Sequence, residues 1–197
     1  MNILNSETFH NLARSFAGES QARNRYHFME YGARQNGLSA LADVIQGVAK
    51  NEFHHARMFY TYITKFSDKE IKNIEFCAGY PFKERWDILE NLRIASEDEA
   101  SEATVIYPKF AQIADKEGFA EAAALWRKVI QVEECHSKLF KQLYTQMKNG
   151  TMYKREQPVK WKCGDCGFEA VTTQAWEKCP LCQAKQGDVL LKIEDEV

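Results

Sequence analysis

No stretch of this chain approaches the roughly 18 consecutive apolar residues that a membrane span requires. Its charge is nearly balanced, 26 Lys and Arg against 28 Asp and Glu for a net of −2, so it lacks the electrostatic footprint of a nucleic-acid or anionic-membrane binder. The opening Met1–Glu7 has no basic segment followed by an apolar one, and the expected compartment is the cytoplasm. Cysteine is sparse, six in 197 residues, and four of the six cluster in metal-ligand spacing rather than in the scatter of a disulfide framework. The length suits one medium domain, or one domain with a small appendage.

What the chain does have is helical periodicity. Leu38, Leu41, Ile45, Val48, Phe59, Tyr62 and Phe66 recur in steps of three and four along one helix face, and the polar interruptions on that face are Glu52 and His55. A second stripe, Phe119, Ala122, Trp126, Val129, Phe140, Leu143 and Met147, is interrupted in the same way by Glu133 and His136. A carboxylate on a core-facing stripe costs several kcal/mol unless its charge is compensated. An internal ion pair or a satisfied core histidine would do so, and so would a bound cation. Two Glu-x-x-His pairs at equivalent points on two helices favour the cation.

Taken in order, Asn5 or Ser6 can cap a first helix with stripe Leu12, Phe16, Glu19, Tyr26, Met29 and Ala33, stopping at Asn36-Gly37. The helix carrying Glu52 follows at once, so the two predict an antiparallel hairpin. Phe66–Glu84, with Ser67-Asp68, Gly79 and Pro81, reads as a long connection with room for a short helix. The third stripe is Ile88, Leu92, Ala95, Glu99, Glu102, Ile106, Phe110 and Ile113, and Pro108 inside it predicts a kink or bulge. Gly118 separates this helix from the fourth. Each hairpin thus supplies a lone Glu followed by Glu-x-x-His, 33 positions apart for Glu19 and Glu52 and 34 for Glu99 and Glu133. Four carboxylates and two imidazoles in the core of a bundle with one long crossover match the ferritin-like di-iron and di-manganese proteins. Such a donor set suits hard ferric iron or manganese through oxygen, and ferrous iron through imidazole.

After Asn149-Gly150 the periodicity stops. Residues 1–150 are read as the bundle, 151–160, charged and carrying Pro158, as a linker, and 161–197 as a small metal-binding domain. Cys163-x-x-Cys166 and Cys179-x-x-Cys182 are two knuckles able to hold one metal through four thiolates, with Trp161, Phe168 and Trp176 around them. Spacing alone leaves a structural zinc ribbon and a one-electron iron site both open.

The run Ala17-Gly18-Glu19-Ser20-Gln21-Ala22-Arg23-Asn24-Arg25-Tyr26, the two Glu-x-x-His pairs, Glu99-x-x-Glu102 before Tyr107-Pro108, and the terminal knuckles in this order resemble the rubrerythrin family over nearly the whole chain. The resemblance implies an all-α ferritin-like four-helix bundle with one long crossover, followed by a rubredoxin-like domain of short β-strands and knuckles holding one iron on four cysteines. It further implies a peroxidase that protects anaerobic or microaerophilic cells from hydrogen peroxide. Its electrons would come from NAD(P)H through a separate reductase or rubredoxin, and its assembly would be a head-to-tail homodimer in which the small domain serves the partner's di-iron site.

Position by position, the resemblance implies that Glu52 and Glu133 bridge the irons, with Glu19 on one and Glu99 and His136 on the other. Glu102 and His55 would be alternative ligands to the first iron, exchanging with its oxidation state, and Tyr26 and Tyr107 would donate to ligand carboxylates. Several departures and leftovers stand out. Val105 occupies a position where some relatives carry a carboxylate, and Gln183 stands where a free rubredoxin has Gly. Cys77 and Cys135 have no assigned role, and His54 lies off the stripe as a surface residue. An iron-storage protein with a zinc ribbon, or an oxidase that reduces dioxygen at the same centre, is the alternative function.

Iron on Cys163, Cys166, Cys179 and Cys182 makes the oxidised protein red through thiolate-to-ferric charge transfer, and the colour bleaches on reduction. Cys179→Ser removes it while the bundle stays folded. A colourless protein carrying one zinc per chain, from cells grown with ample iron, contradicts the electron-transfer role.

Overall fold

Ser6 accepts a hydrogen bond from the Phe9 amide, satisfying one of the unpaired N–H groups with which every helix begins. In a computed structural model, which describes residues 3–66, 70–77 and 87–193, this cap opens α1 (Glu7–Gln35). Gly37, with φ of +71°, turns the chain into α2 (Ser39–Thr64). The Leu38 amide returns to the Ala33 carbonyl and the Gly37 amide to that of Arg34, the paired bonds of a helix ending on a left-handed residue. The expected hairpin is therefore present. Most of the long connection that follows lies outside the described residues. Its part at 70–77 contains no helix, and Ile71, Ile74 and Phe76 pack against the bundle.

The third helix is in two pieces. Asp87 caps α3 (Ile88–Ser101), a π turn spans Glu102–Ile106, and α4 (Tyr107–Glu117) resumes with Pro108 in its first turn. Pro108 has no N–H to give the preceding turn, and the widened turn absorbs this: the Tyr107 amide reaches back five residues to the Glu102 carbonyl. One extra residue enters the helix there, which corrects the expected stripe. Ile88, Leu92, Ala95 and Glu99 are buried as read, but beyond the π turn the fully buried positions are Tyr107, Ala111 and Ala114, while Ile106, Phe110 and Ile113 are half-buried. Gly118 (φ +87°) closes α4 with the same paired bonds and leads into α5 (Ala120–Lys148).

The stretch expected as a linker is largely strand. β1 (Lys154–Lys162) pairs antiparallel with β2 (Glu169–Gln174), and the ladder breaks between Lys154 and Val159, where Pro158 has no amide to donate. Trp161 is fully buried beneath the hairpin with Ala175 and Val189, and its indole N–H donates to the Thr172 carbonyl at 3.1 Å.

Two apolar clusters fill the bundle. One contains Met29, Leu41, Ile45, Leu92, Phe140 and Leu143, and the other Phe9, Leu12, Phe59, Ala114, Trp126 and Val129. Between them lies a layer of buried Glu and His. Phe16 is the outlier of the first stripe, facing solvent against Tyr60.

Gly118→Ala places a side chain in a left-handed conformation and should cost about 1 kcal/mol of stability, read as a lower urea midpoint with unchanged metal content. An unshifted midpoint contradicts the role of that turn.

Candidate metal centres

The buried polar layer is built from one face of each helix. Glu19 on α1, Glu52 and His55 on α2, Glu99 on α3, and Glu133 and His136 on α5 are all at most 4% exposed. Their donor atoms form two sets, each with atoms within 4.8 Å of one another: Glu19, Glu52, His55 and Glu133 in one, Glu52, Glu99, Glu133 and His136 in the other. Glu52 and Glu133 belong to both.

The two sets are nearly equivalent. His55 Nδ1 lies 2.9 Å from Glu52 Oε2, 2.9 Å from Glu133 Oε1 and 3.7 Å from Glu19 Oε2. His136 Nδ1 lies 2.8 Å from Glu133 Oε2, 3.0 Å from Glu52 Oε1 and 3.7 Å from Glu99 Oε2. A single ring nitrogen cannot satisfy three carboxylates. One oxygen each of Glu19, Glu52, Glu99 and Glu133 is left buried without a hydrogen bond, and all four turn toward these two points. Two cations with oxygen-rich and imidazole ligation fit this donor set.

The other oxygens of the lone carboxylates are held by phenols that cross the bundle. Tyr26 on α1 donates to Glu99 Oε1 on α3, and Tyr107 on α4 donates to Glu19 Oε1 on α1. The two bonds are related by the same near-symmetry. Tyr26 follows Glu19 by seven residues and Tyr107 follows Glu99 by eight, the extra one being the residue taken up in the π turn. That residue also accounts for hairpin spacings of 33 and 34.

Glu102 begins the π turn and stands outside both donor sets. It is half-buried by exposure yet closely surrounded, and its pKa is raised to about 8 by burial and by the charges of Glu133 and Glu52. His54 is exposed, as are Cys77 and Cys135, and Val105 is 62% exposed. Asn51 is a neighbour that periodicity does not reveal. It lies off the stripe, and its carboxamide nitrogen is 3.1 Å from His136 Nε2, where it helps to hold the orientation of the ring.

In the small domain, the Cys163 and Cys182 sulfurs are 3.7 Å apart and those of Cys166 and Cys179 3.6 Å. A disulfide needs about 2.05 Å, whereas a tetrahedron with metal–sulfur bonds of about 2.3 Å has edges near 3.8 Å. Gly167 and Gln183 occupy matching positions after the knuckles, at φ of +75° and +66°, each returning its amide to the carbonyl of the first cysteine. Gln183 adds a side-chain donor to the Cys179 carbonyl at 3.2 Å.

The rubrerythrin family model matches residues 10–144 of this chain. The chain is 38% identical to rubrerythrin of Clostridium perfringens over 177 residues, 90% of each protein, and 34% identical to that of Porphyromonas gingivalis over 93% of this chain and 89% of the relative. This chain belongs to the rubrerythrin family. Rubrerythrins are di-iron oxidoreductases of oxidative-stress defence, and the cofactors are a non-haem di-iron centre and one iron on four cysteines. The ferritin-like fold is shared with mixed-valence nigerythrin, at a TM-score of 0.61 and 21% identity over 98% of this chain and 94% of that one. Bacterioferritin from Desulfovibrio desulfuricans gives a TM-score of 0.61 at 18% identity, over 74% of this chain and 82% of that one. No described helix is long and apolar enough to cross a membrane.

Without metal, this rubrerythrin layer balances its own charge. Burial opposes charge on His136, but the nearby carboxylates of Glu133, Glu52 and Glu99 outweigh that and raise its pKa to about 12. His55 is raised by the same contest with Glu133, Glu19 and Glu52. Burial alone would raise Glu52, yet the two imidazoliums hold it down near 2, and they lower Glu133 likewise. Glu19 and Glu99 are pushed well up by burial, which favours their protonated forms. Two imidazoliums therefore face two carboxylates. Two ferrous ions bring four positive charges, which match four ionised carboxylates beside neutral imidazoles. Loading at pH 7 should release about four protons, two from His55 and His136 and one each from Glu19 and Glu99. Because protons compete with metal at raised pKa values, affinity should rise with pH. Titration calorimetry in buffers of different ionisation enthalpy counts the protons, and release of one or none contradicts this charge assignment.

Proposed function

We propose that this chain reduces hydrogen peroxide to water at the paired site, with electrons delivered singly through the four-cysteine iron. The observation that carries the reading is the sharing of Glu52 and Glu133 by two carboxylate–imidazole sets in a dry core. When bound, a ferrous pair supplies two electrons, one from each ion, and one peroxide takes up those two electrons and two protons to yield two waters.

In this reading Glu52 and Glu133 would be shared by the two metals, Glu19 would hold one, and Glu99 and His136 would hold the other. Glu102 and His55 would be alternative ligands to the first: Glu102 would offer further negative charge to a ferric ion, and His55 a neutral donor to a ferrous one. Tyr26 and Tyr107 fix the outer oxygens of Glu99 and Glu19, so the carboxylates keep their aim while the metal charge changes. Burial excludes bulk water, which supports a small oxidant over a bulky substrate.

Electrons enter from NAD(P)H through a separate reductase or rubredoxin, in the cytoplasm. The small domain packs on the end of its own bundle at the α1–α2 turn, and Glu52 is 15 residues further along α2, about 20 Å at helical rise. In this reading the assembly is a head-to-tail homodimer in which the small domain serves the partner's di-iron site.

Two substitutions should fail in opposite ways. Glu52→Ala loses the di-iron centre, so peroxide no longer reoxidises a pre-reduced protein rapidly and the small-domain iron stays bleached. Cys179→Ser keeps one turnover of a chemically reduced di-iron site but loses steady turnover from a reductase. Rapid-mixing absorbance decides it: Glu52→Ala reacting with peroxide as fast as the parent overturns the bundle as the peroxidase site and favours iron storage.

A further inference from the structure

The small domain is not tethered loosely. Met152 is buried in the apolar cluster at the α1–α2 end of the bundle, and Tyr153 and Leu191 pack against it. The Lys192 carbonyl accepts hydrogen bonds from Gln142 and Gln146 on α5, at 3.0 and 3.2 Å. At the centre of the contact, Gly187 presses on Gly37. A Cβ built on Gly187 would fall inside the van der Waals shell of the Gly37 carbonyl oxygen, 2.9 Å from its carbon and 3.2 Å from Leu38 Cα. These are backbone atoms, and the tight turn at Gly37 fixes them, so they cannot step aside as a side-chain tip could.

We propose that Gly187 is a positioning residue, a side-chain-free key that seats the four-cysteine domain on the α1–α2 turn of its own bundle and fixes where its metal edge points. That edge is open: Cys166 and Cys182 are exposed, and Leu181 between the second pair of cysteines is 67% exposed. A keyed domain cannot swing along the bundle to its own paired site. It offers the exposed edge to whatever docks there, and electron tunnelling, which decays exponentially with distance, then depends on this one seat. This functional consequence rests on the electron-delivery reading above, whereas the seat itself does not.

The test compares Gly187→Ala and Gly187→Val with Gly37→Ala in the full-length, metal-loaded protein. A Cβ on Gly37 meets nothing within 4 Å, so that variant strains the turn without wedging the interface. Hydrogen–deuterium exchange should show lost protection at 36–38 and 186–193 for Gly187→Val, a smaller loss for Gly187→Ala, and parent-like protection of 186–193 for Gly37→Ala. The red four-cysteine chromophore should persist in all three, showing the small domain folded. If Gly187→Val loses that colour, a Gln142→Ala/Gln146→Ala pair unseats the domain from the bundle side and carries the same expectation. In rapid mixing of pre-reduced protein with peroxide, small-domain reoxidation should slow on the order of 10-fold or more in the unseated variants. Retained protection in Gly187→Val, or an unchanged rate despite unseating, overturns the proposal. A parent protein whose small domain is not reoxidised by peroxide would instead sink the electron-delivery reading, leaving the exchange result to decide the seat.

Discussion

Charge neutrality in a dry core is the constraint on which the rest of this molecule depends. Six ionisable side chains, four Glu and two His, are buried between two apolar clusters, and each uncompensated charge there would cost several kcal/mol, a large share of a domain's stability margin. The solution is reciprocal. Imidazoliums hold Glu52 and Glu133 ionised while Glu19 and Glu99 stay protonated, and metal cations can replace those protons without changing the net charge of the layer. The helices on either side hold that exchange in place: crossing phenols fix the lone carboxylates, and the stripes above and below exclude water.

Much of this was legible in sequence because helical periodicity makes an inward carboxylate visible as an error in an apolar stripe. Glu52-x-x-His55 and Glu133-x-x-His136 stood out for that reason, and the 33- and 34-residue spacings showed that the pattern occurred twice. The four cysteines were legible because tetrahedral thiolate ligation needs two tight knuckles, and the sulfur separations agree.

Other features left no periodic trace. The π turn shifts the buried face of the third helix by one residue, so a stripe drawn at constant pitch names Ile106, Phe110 and Ile113 where the fold buries Tyr107, Ala111 and Ala114. Pro108 signals an irregularity but not its direction. Residues 154–160 carry charge and proline and look like linker, because a two-stranded hairpin exposed along most of its length has little hydrophobic alternation to show. Asn51 touches His136 from off the stripe, and Gly187 matters only through what lies across a contact that pattern reading cannot place.

The π turn has one more consequence. A duplicated hairpin would build two identical metal positions related by a twofold axis, with nothing to tell them apart. One inserted residue breaks that equivalence: Glu102, the carboxylate at the start of the turn, has no counterpart on α1, where the position three residues beyond Glu19 is Ala22. One side of the pair therefore has a spare carboxyl neighbour, able to ionise beside added positive charge, and the other does not. Such a site has a polarity, a defined end at which positive charge is better tolerated, and a single electron shared between two metals there would not be divided evenly.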